Sequence, residues 1–238
     1  MANDMARAGR TPPRIVVLTG AGLSAESGIP TFRDGDGLWE HHRIEDVATP
    51  EAFSRDPDLV LRFYDARRAA AGAAVPNPTH QALVRLSHAP GVTLITQNVD
   101  ALLDRAGARD VIHMHGRLDS ALCAACDHRW PAPAMMRRSL PCPACGQPAA
   151  RPDIVWFGEM PYHMDRIEAA LDGADLFAAI GTSGNVYPAA GFVDFARDSG
   201  AETVELNLVS TAPGRFDHHI GGPASQSVPA WVDTLLTP

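Results

Sequence analysis

Four short apolar runs, each ending at a glycine or an amide side chain, constrain the fold of this chain more than any other feature. They are Arg14–Thr19, Val92–Thr96, Asp175–Ile180 and Glu202–Leu206, with a shorter run at Val111–His113. Rich in Val, Ile, Leu and Ala, they read as buried strands. Between them, Pro50–Phe53, Pro57–Ala74, Pro78–Ser87, a stretch ending at Ala106, Asp165–Leu171, Ala189–Ser199 and Val228–Leu236 read as helices. Several open with proline, whose missing N–H costs nothing in a first turn. Gly28–Glu45 reads as a long loop, Cys123–Cys145 as an insertion of little periodicity, and Ile154–Phe157 as a short extended segment. Strands alternating with helices predict an α/β fold, with a parallel sheet covered by helices on both faces. Ligands of such sheets bind beyond the carboxyl ends of the strands. Here those ends carry Gly20-Ala21-Gly22, Gln97-Asn98-Val99-Asp100, Gly181-Thr182-Ser183 and Asn207, small or amide-bearing residues that suit a nucleotide.

The 238 residues, 45% of them hydrophobic, suffice for one core with a small satellite module. The formal net charge of −8 argues against binding to phosphate backbones. All twenty cationic side chains are arginine, which excludes a Schiff-base lysine, a P-loop lysine and a Ser–Lys dyad. Met1–Pro13 is polar and lacks the apolar core of a secretory signal. No run approaches the ~20 apolar residues of a membrane helix. A cytoplasmic monomer is expected.

Thr19-Gly20-Ala21-Gly22-Leu23-Ser24-Ala25 fits a strand, a G-x-G-x-x-A turn and a helix start. The glycines permit a tight turn and close approach to a pyrophosphate, and a helix N-terminus favours the anion. A dehydrogenase would place an acid ~20 residues further on, at a strand end. Glu45 and Asp46 stand near that distance but in loop-like sequence, which counts against that chemistry.

Cys123-x-x-Cys126 and Cys142-x-x-Cys145 match a four-thiolate zinc pattern. Four protein ligands leave no open coordination position, so the zinc is expected to be structural and to hold together a segment poor in hydrophobic residues. His128 reads as a surface neighbour. His113 and His115 share one face if their segment is extended. Either could act as a general base near neutral pH, and Gly116 would let a ligand approach. His113, His80 and the pairs His41–His42 and His218–His219 read as core or surface residues, and Trp156 and Phe157 as core.

Taken together, these motifs resemble the sirtuin family. The carrying residues run from Gly20 through Glu26-Ser27-Gly28-Ile29-Pro30-Thr31-Phe32-Arg33 to Gly37-Leu38-Trp39. They continue with Gln97–Asp100, His115-Gly116, the four cysteines, Gly181–Ser183 and Asn207. The order holds from about Ile15 to Leu236. Val155–Pro161 and Tyr187–Phe192 look closest to bacterial CobB-type members. The resemblance implies a Rossmann-like NAD domain over 14–40, 92–116 and 152–236. It also implies a helical part of a small domain over 41–91 and a zinc-binding module over 117–151.

The implied activity is NAD-dependent removal of acyl groups from protein lysines. By that analogy, nicotinamide leaves the ribose, the acyl oxygen attacks C1′, His115 deprotonates a ribose hydroxyl that attacks the imidate carbon, and water then releases free lysine and O-acyl-ADP-ribose. His115 and Asn98 would be catalytic. Gly20, Ala21, Gly22, Ser24, Ala25, Glu26, Thr31, Phe32, Arg33, Trp39, Gln97, Val99 and Asp100 would contact the cofactor, with Phe32 and Arg33 on a mobile loop over it. Gly181, Thr182, Ser183, Asn207, Leu208, Val209 and Ala224 would line its adenosine side. Val209 stands where CobB-type chains carry an acid. Val155, Trp156, Phe157, Gly158 and Glu159 would pair with the substrate backbone as an added strand.

Tyr64 and Arg67 lie one helical turn apart on one face. In the class III subgroup such a pair, with the small Ala48, resembles a reader of acidic acyl chains such as succinyl. Arginine matches a carboxylate bidentately and tyrosine adds a donor. Arg68 projects about 100° further round the helix and should not substitute for Arg67. Both desuccinylation and deacetylation are expected. Transfer of ADP-ribose to protein, a non-catalytic NAD-binding module and a Rossmann dehydrogenase are the alternative readings.

Overall fold

The computed structural model describes residues 12–30 and 42–237, together with the backbone of 38–39. In chain order the elements are β1 (Ile15–Thr19), α1 (Gly22–Ala25), β2 (Leu38–Trp39), β3 (His42–Arg43), α2 (Ile44–Val47), α3 (Pro50–Arg55), α4 (Pro57–Ala73) and α5 (Pro78–Ser87). There follow β4 (Val92–Thr96), α6 (Leu102–Ala106), β5 (Ile112–His113), β6 (Gly116–Cys123), β7 (Arg129–Pro131), β8 (Ala150–Ile154), α7 (Met164–Asp172) and β9 (Leu176–Ile180). The chain ends with a 3-10 turn at Ala189–Gly191, α8 (Phe192–Asp198), β10 (Glu202–Asn207), β11 (His218–Gly221) and α9 (Ala224–Leu236).

Among the described residues, six strands form a parallel sheet in the order β11-β10-β9-β1-β4-β5. Side chains alternate across it. Ile15 and Val17 join Leu83 and Leu86 of α5 and Val228, Trp231 and Val232 of α9 on one face. Val16 and Leu18 join Ile167 and Leu171 of α7 and Val193 and Ala196 of α8 on the other. The order reverses at β1, which lies between β4 and β9, and the crevice at such a reversal is where α/β sheets receive ligands.

A second body packs above these strand ends. Thr49 and Asp56 cap α3 and α4 through their side chains, with Pro50 and Pro57 in the first turns as expected. Val60 and Tyr64 of α4 share a core with Val47, Leu118 and Trp156. A smaller core, with Leu61 from the same helix, joins Ala121, Met136 and Ala150. Thus α4 supports both the helical layer and an antiparallel sheet of order β7-β6-β8.

Four local expectations change. The cysteine insertion, read as having little regular structure, is framed by β6 and β8, whose alternation is interrupted by a register shift between Gly116 and Ala121. Helix α5, assigned by the sequence division to the small domain, packs Ala82, Leu83 and Leu86 into the core of the main sheet. The segment read as a long loop contains β2, β3 and the start of α2. His218 and His219 are exposed, as expected of surface residues, but they open edge strand β11, where the sequence predicts no strand; α9 begins at Ala224 rather than Val228, so that Pro229 lies inside the helix.

Candidate active site

A cavity of about 590 Å3 opens where β1, β4, β9 and β10 end, and reaches across to α4 and the end of β8. Thr31, Phe32, Arg33 and the Trp39 side chain lie outside the described residues. Of the remaining residues expected to hold cofactor or acyl substrate, all line this one cavity except Val209. Past Asn207 the chain folds back onto Glu205, which accepts from Ser210 Oγ (2.9 Å), Thr211 N (2.9 Å) and Thr211 Oγ1. This leaves the Val209 side chain in solvent, 68% exposed.

The glycine turn is tight, as expected, and it packs against the end of β9. A Cβ on Gly20 would stand 2.8 Å from the Gly181 carbonyl oxygen, and one on Gly22 would stand 2.8 Å from Gly181 Cα. Gly181 itself has φ +59° and would meet Leu23 N at 2.7 Å. The glycines therefore let two backbone turns pack against each other, joined by Gly20 N to Ile180 O (2.9 Å) and Gly22 N to Gly181 O (2.9 Å). Helix α1 is a single turn, so its macrodipole contributes little. Glu26, on the same rim, accepts from Ser225 N (2.9 Å) and Ser225 Oγ, fastening the start of α9 to the turn.

Buried amides and a carboxylate form the floor. Asn98 Nδ2 donates to Ser24 Oγ (3.1 Å), which donates to Asp100 Oδ2 (2.9 Å), while Leu102 N donates to Asp100 Oδ1 (3.0 Å). Burial raises the Asp100 pKa, opposed by those two hydrogen bonds. Gln97 Nε2 donates to Thr182 Oγ1 (3.0 Å) and Asn207 Nδ2 to Thr182 O (2.8 Å), cross-linking the strand ends.

The structure separates the two histidines that periodicity left equivalent. His113 is buried, with Nε2 on Asp104 Oδ2 at 2.8 Å, and Asp104 also pairs with Arg117. His115 lines the cavity, with Nδ1 3.1 Å from Gln97 O. A carbonyl only accepts, so Nδ1 carries the proton and Nε2 keeps its lone pair. Burial lowers the His115 pKa and the bond to Gln97 only partly offsets it, so the ring is a neutral base at neutral pH. Gly116 serves another end than expected: its φ is +83°, and a Cβ would fall 2.1 Å from Asp153 O. The glycine admits strand β8 rather than a ligand.

On the opposite wall, Tyr64 is fully buried and Arg67 is 7% exposed, so the pair is part of the cavity rather than a helix surface. Ala48 lies beside them. Ala70 and Ala71 also line the space; they were not singled out, although Tyr64, Arg67 and Ala71 share a helical stripe that the 3.6-residue period makes visible. Arg68 turns away, with Nε donating to Leu118 O (2.6 Å) and Nη1 to Asp65 (2.6 Å).

Val155–Glu159 is a turn rather than an extended strand. The N–H groups of Val155, Trp156, Phe157 and Glu159 donate to His115 O, Glu159 Oε2, Ala48 O and Trp156 O. Gly158 has φ +92°. This hydrogen bonding explains the departure from strand geometry and leaves mainly carbonyls to meet a partner. Trp156 is core, as its size suggested, whereas Phe157 is 42% exposed.

The four cysteine sulfurs lie within 4.8 Å of one another. Cys123–Cys145 and Cys126–Cys142 Sγ distances are both 3.7 Å, and Ala125 N and Ala144 N each donate to a sulfur at 3.4 Å. Zinc–sulfur bonds of ~2.3 Å in a tetrahedron give sulfur separations of about 3.8 Å, so the donor set fits the metal. His128 is exposed and stacks on Trp130.

Comparison with known proteins agrees with this fold. An NAD-dependent protein deacylase of Bdellovibrio bacteriovorus is 56% identical over 229 residues, covering 93% of this chain and 96% of that protein. A solved Sir2 homologue–NAD complex aligns with TM-score 0.84 and 39% identity over 93% of this chain and 88% of its own. A Sir2 protein bound to a myristoylated histone peptide aligns with TM-score 0.69 and 28% identity over 93% and 90%. The Sir2 family model matches residues 20–188. This chain belongs to the Sir2 family.

Proposed function

We propose that this chain is an NAD-dependent protein-lysine deacylase, acting in the cytoplasm as a monomer on both succinyl- and acetyl-lysine. One arrangement carries the reading. A neutral His115, its Nδ1 proton held by Gln97, shares a single cavity with the Asn98–Ser24–Asp100 floor on one side and Tyr64–Arg67 on the other. NAD supplies the electrophilic ribose carbon once nicotinamide departs.

The chain's own residues then have separate tasks. His115 Nε2 takes the proton of a ribose hydroxyl as that oxygen becomes a nucleophile. Asn98 and Asp100 orient the nicotinamide half, and Asp100 is itself held by Ser24 and Leu102. Thr182, Ser183, Asn207, Leu208 and Ala224 face the adenosine half, while Gly20 and Gly22 keep the phosphate-side turn tight. Arg67 pairs with a terminal carboxylate on the acyl chain, with Tyr64 as the neutral donor. The Val155–Glu159 turn presents carbonyls to the substrate backbone. Zinc on Cys123, Cys126, Cys142 and Cys145 fastens β6 and β8, and with them the position of Trp156.

The reading is tested by nicotinamide release. NAD should be cleaved only when an acyl-lysine peptide is supplied, with the acyl group lost from the peptide in equal amount. Labelled ADP-ribose appearing on protein while the acyl group stays on lysine would favour the ADP-ribosyltransferase instead.

A further inference from the structure

We propose that Trp156 is a positioning residue for acyl selectivity: its indole N–H sets the direction in which the Tyr64 hydroxyl donates. This rests on reading Tyr64 and Arg67 as the partners of an acidic acyl chain. Trp156 Nε1 donates to Tyr64 Oη at 3.1 Å, and both side chains are buried. An indole N–H is a donor only, so the phenol oxygen must accept there. A phenol proton lies near the ring plane and has two principal positions. Accepting from the indole on one side assigns the proton to the other. Tyr64 thereby becomes a one-way donor, suited to an acyl end that only accepts, as a carboxylate does. A freely turning hydroxyl would lack that bias.

The indole is itself held on several sides. The Arg151 guanidinium lies 3.6 Å above its ring. Arg151 is bidentate to Glu159, at 2.6 and 2.9 Å, and donates to Ile154 O at 2.8 Å. Glu159 Oε2 accepts from Trp156 N at 2.8 Å. Phe53 packs on the ring at a centroid distance of 5.1 Å. Because Glu159 neutralises Arg151, the clamp fixes the indole without leaving an unpaired guanidinium over its ring.

Trp156→Phe removes the donor and keeps an aromatic ring. With peptides of one sequence carrying succinyl- or acetyl-lysine, the succinyl-to-acetyl ratio of kcat/KM should fall about fivefold, the scale of one neutral hydrogen bond. In a Tyr64→Phe background the same change should leave the ratio where Tyr64→Phe alone puts it, since no hydroxyl remains to be directed. If Trp156→Phe does not fold, benzothienylalanine at position 156 preserves ring shape without the N–H, and should lower the ratio likewise. Equal loss on both peptides, or an effect that persists without the Tyr64 hydroxyl, would overturn the proposal. If the wild-type protein takes no succinyl-peptide, or Arg67→Met leaves the ratio unchanged, the acid-reader assignment itself fails and takes the proposal with it.

Discussion

The wall of the cavity formed by the parallel strands is made largely of backbone, whereas the wall formed by α4 and the end of β8 is made of side chains. On the first, Gly20, Gly22 and Gly181 approach so closely that no Cβ fits between them. On the second, Tyr64, Arg67, Ala48 and Trp156 present a hydroxyl, a guanidinium, a methyl group and an indole. A wall of closely packed backbone tolerates little change. On the proposed function, a side-chain wall can be retuned one residue at a time, because each of these groups would meet the acyl chain, the part of the substrate that varies. His115 stands between the two, held from the first by Gln97 O and followed directly by β6 of the second body.

That contrast can be broken in several ways. The largest expected effect is at the shared residue: His115→Ala should lower kcat/KM by about 10²–10⁴ on succinyl- and acetyl-peptides alike, as expected for a lost general base. In the wild type, burial keeps the imidazole neutral to lower pH, so the acid limb of kcat/KM should lie below the ordinary value of about 6.5. A limb above that value, or a loss confined to one peptide, would remove His115 from the shared step.

Next is Arg67→Met. Desuccinylation should fall about 10- to 100-fold, corresponding to the ~1.5–3 kcal/mol of a charged hydrogen bond. Deacetylation should change far less, and steady-state kinetics on matched peptides separates the two. Equal losses would make Arg67 part of the general frame. Gly22→Ala should instead act on the other wall. The added methyl meets Gly181 backbone and should destabilise by about 1–3 kcal/mol, read by urea unfolding. It should also raise KM for NAD without changing the preference between acyl groups.

The last effect is on stability alone and concerns α5, behind the backbone wall. His80 Nδ1 accepts from Asn77 N in a capping box, and Asn77 Nδ2 donates to Leu23 O and Ser27 Oγ beside the glycine turn. Burial lowers the His80 pKa from 6.5 to about 4. The unfolded chain therefore binds a proton that the folded chain refuses. This stabilisation is complete above pH 6.5 and is lost as pH falls towards 4, with a ceiling of roughly 3 kcal/mol. Unfolding free energies at about pH 7 and pH 4.5 should differ less in His80→Gln than in the wild type.

The same division explains what the chain disclosed before its structure. The backbone wall was legible, because strands ending in glycine and amide residues leave a local pattern at fixed spacing. The zinc site was legible for the same reason. The α4 wall was visible as a Tyr64–Arg67 pair only through resemblance, since such a pair is ordinarily a surface feature. Its support was not legible at all. Arg151 and Glu159 meet across a turn, Trp156 reaches Tyr64 over 92 positions of sequence, and no periodicity joins residues on those elements. Likewise the role of Gly116 depends on the passage of β8, and the packing of α5 on a surface shared with α9. Both are tertiary facts.

The most direct measurement is to weigh the products formed from NAD and peptides of identical sequence carrying succinyl- or acetyl-lysine. The account predicts free nicotinamide, unmodified peptide, and both O-succinyl- and O-acetyl-ADP-ribose, all missing with His115→Ala. Intact acyl-peptide beside ADP-ribosylated protein, or NAD left uncleaved with either peptide, would contradict it.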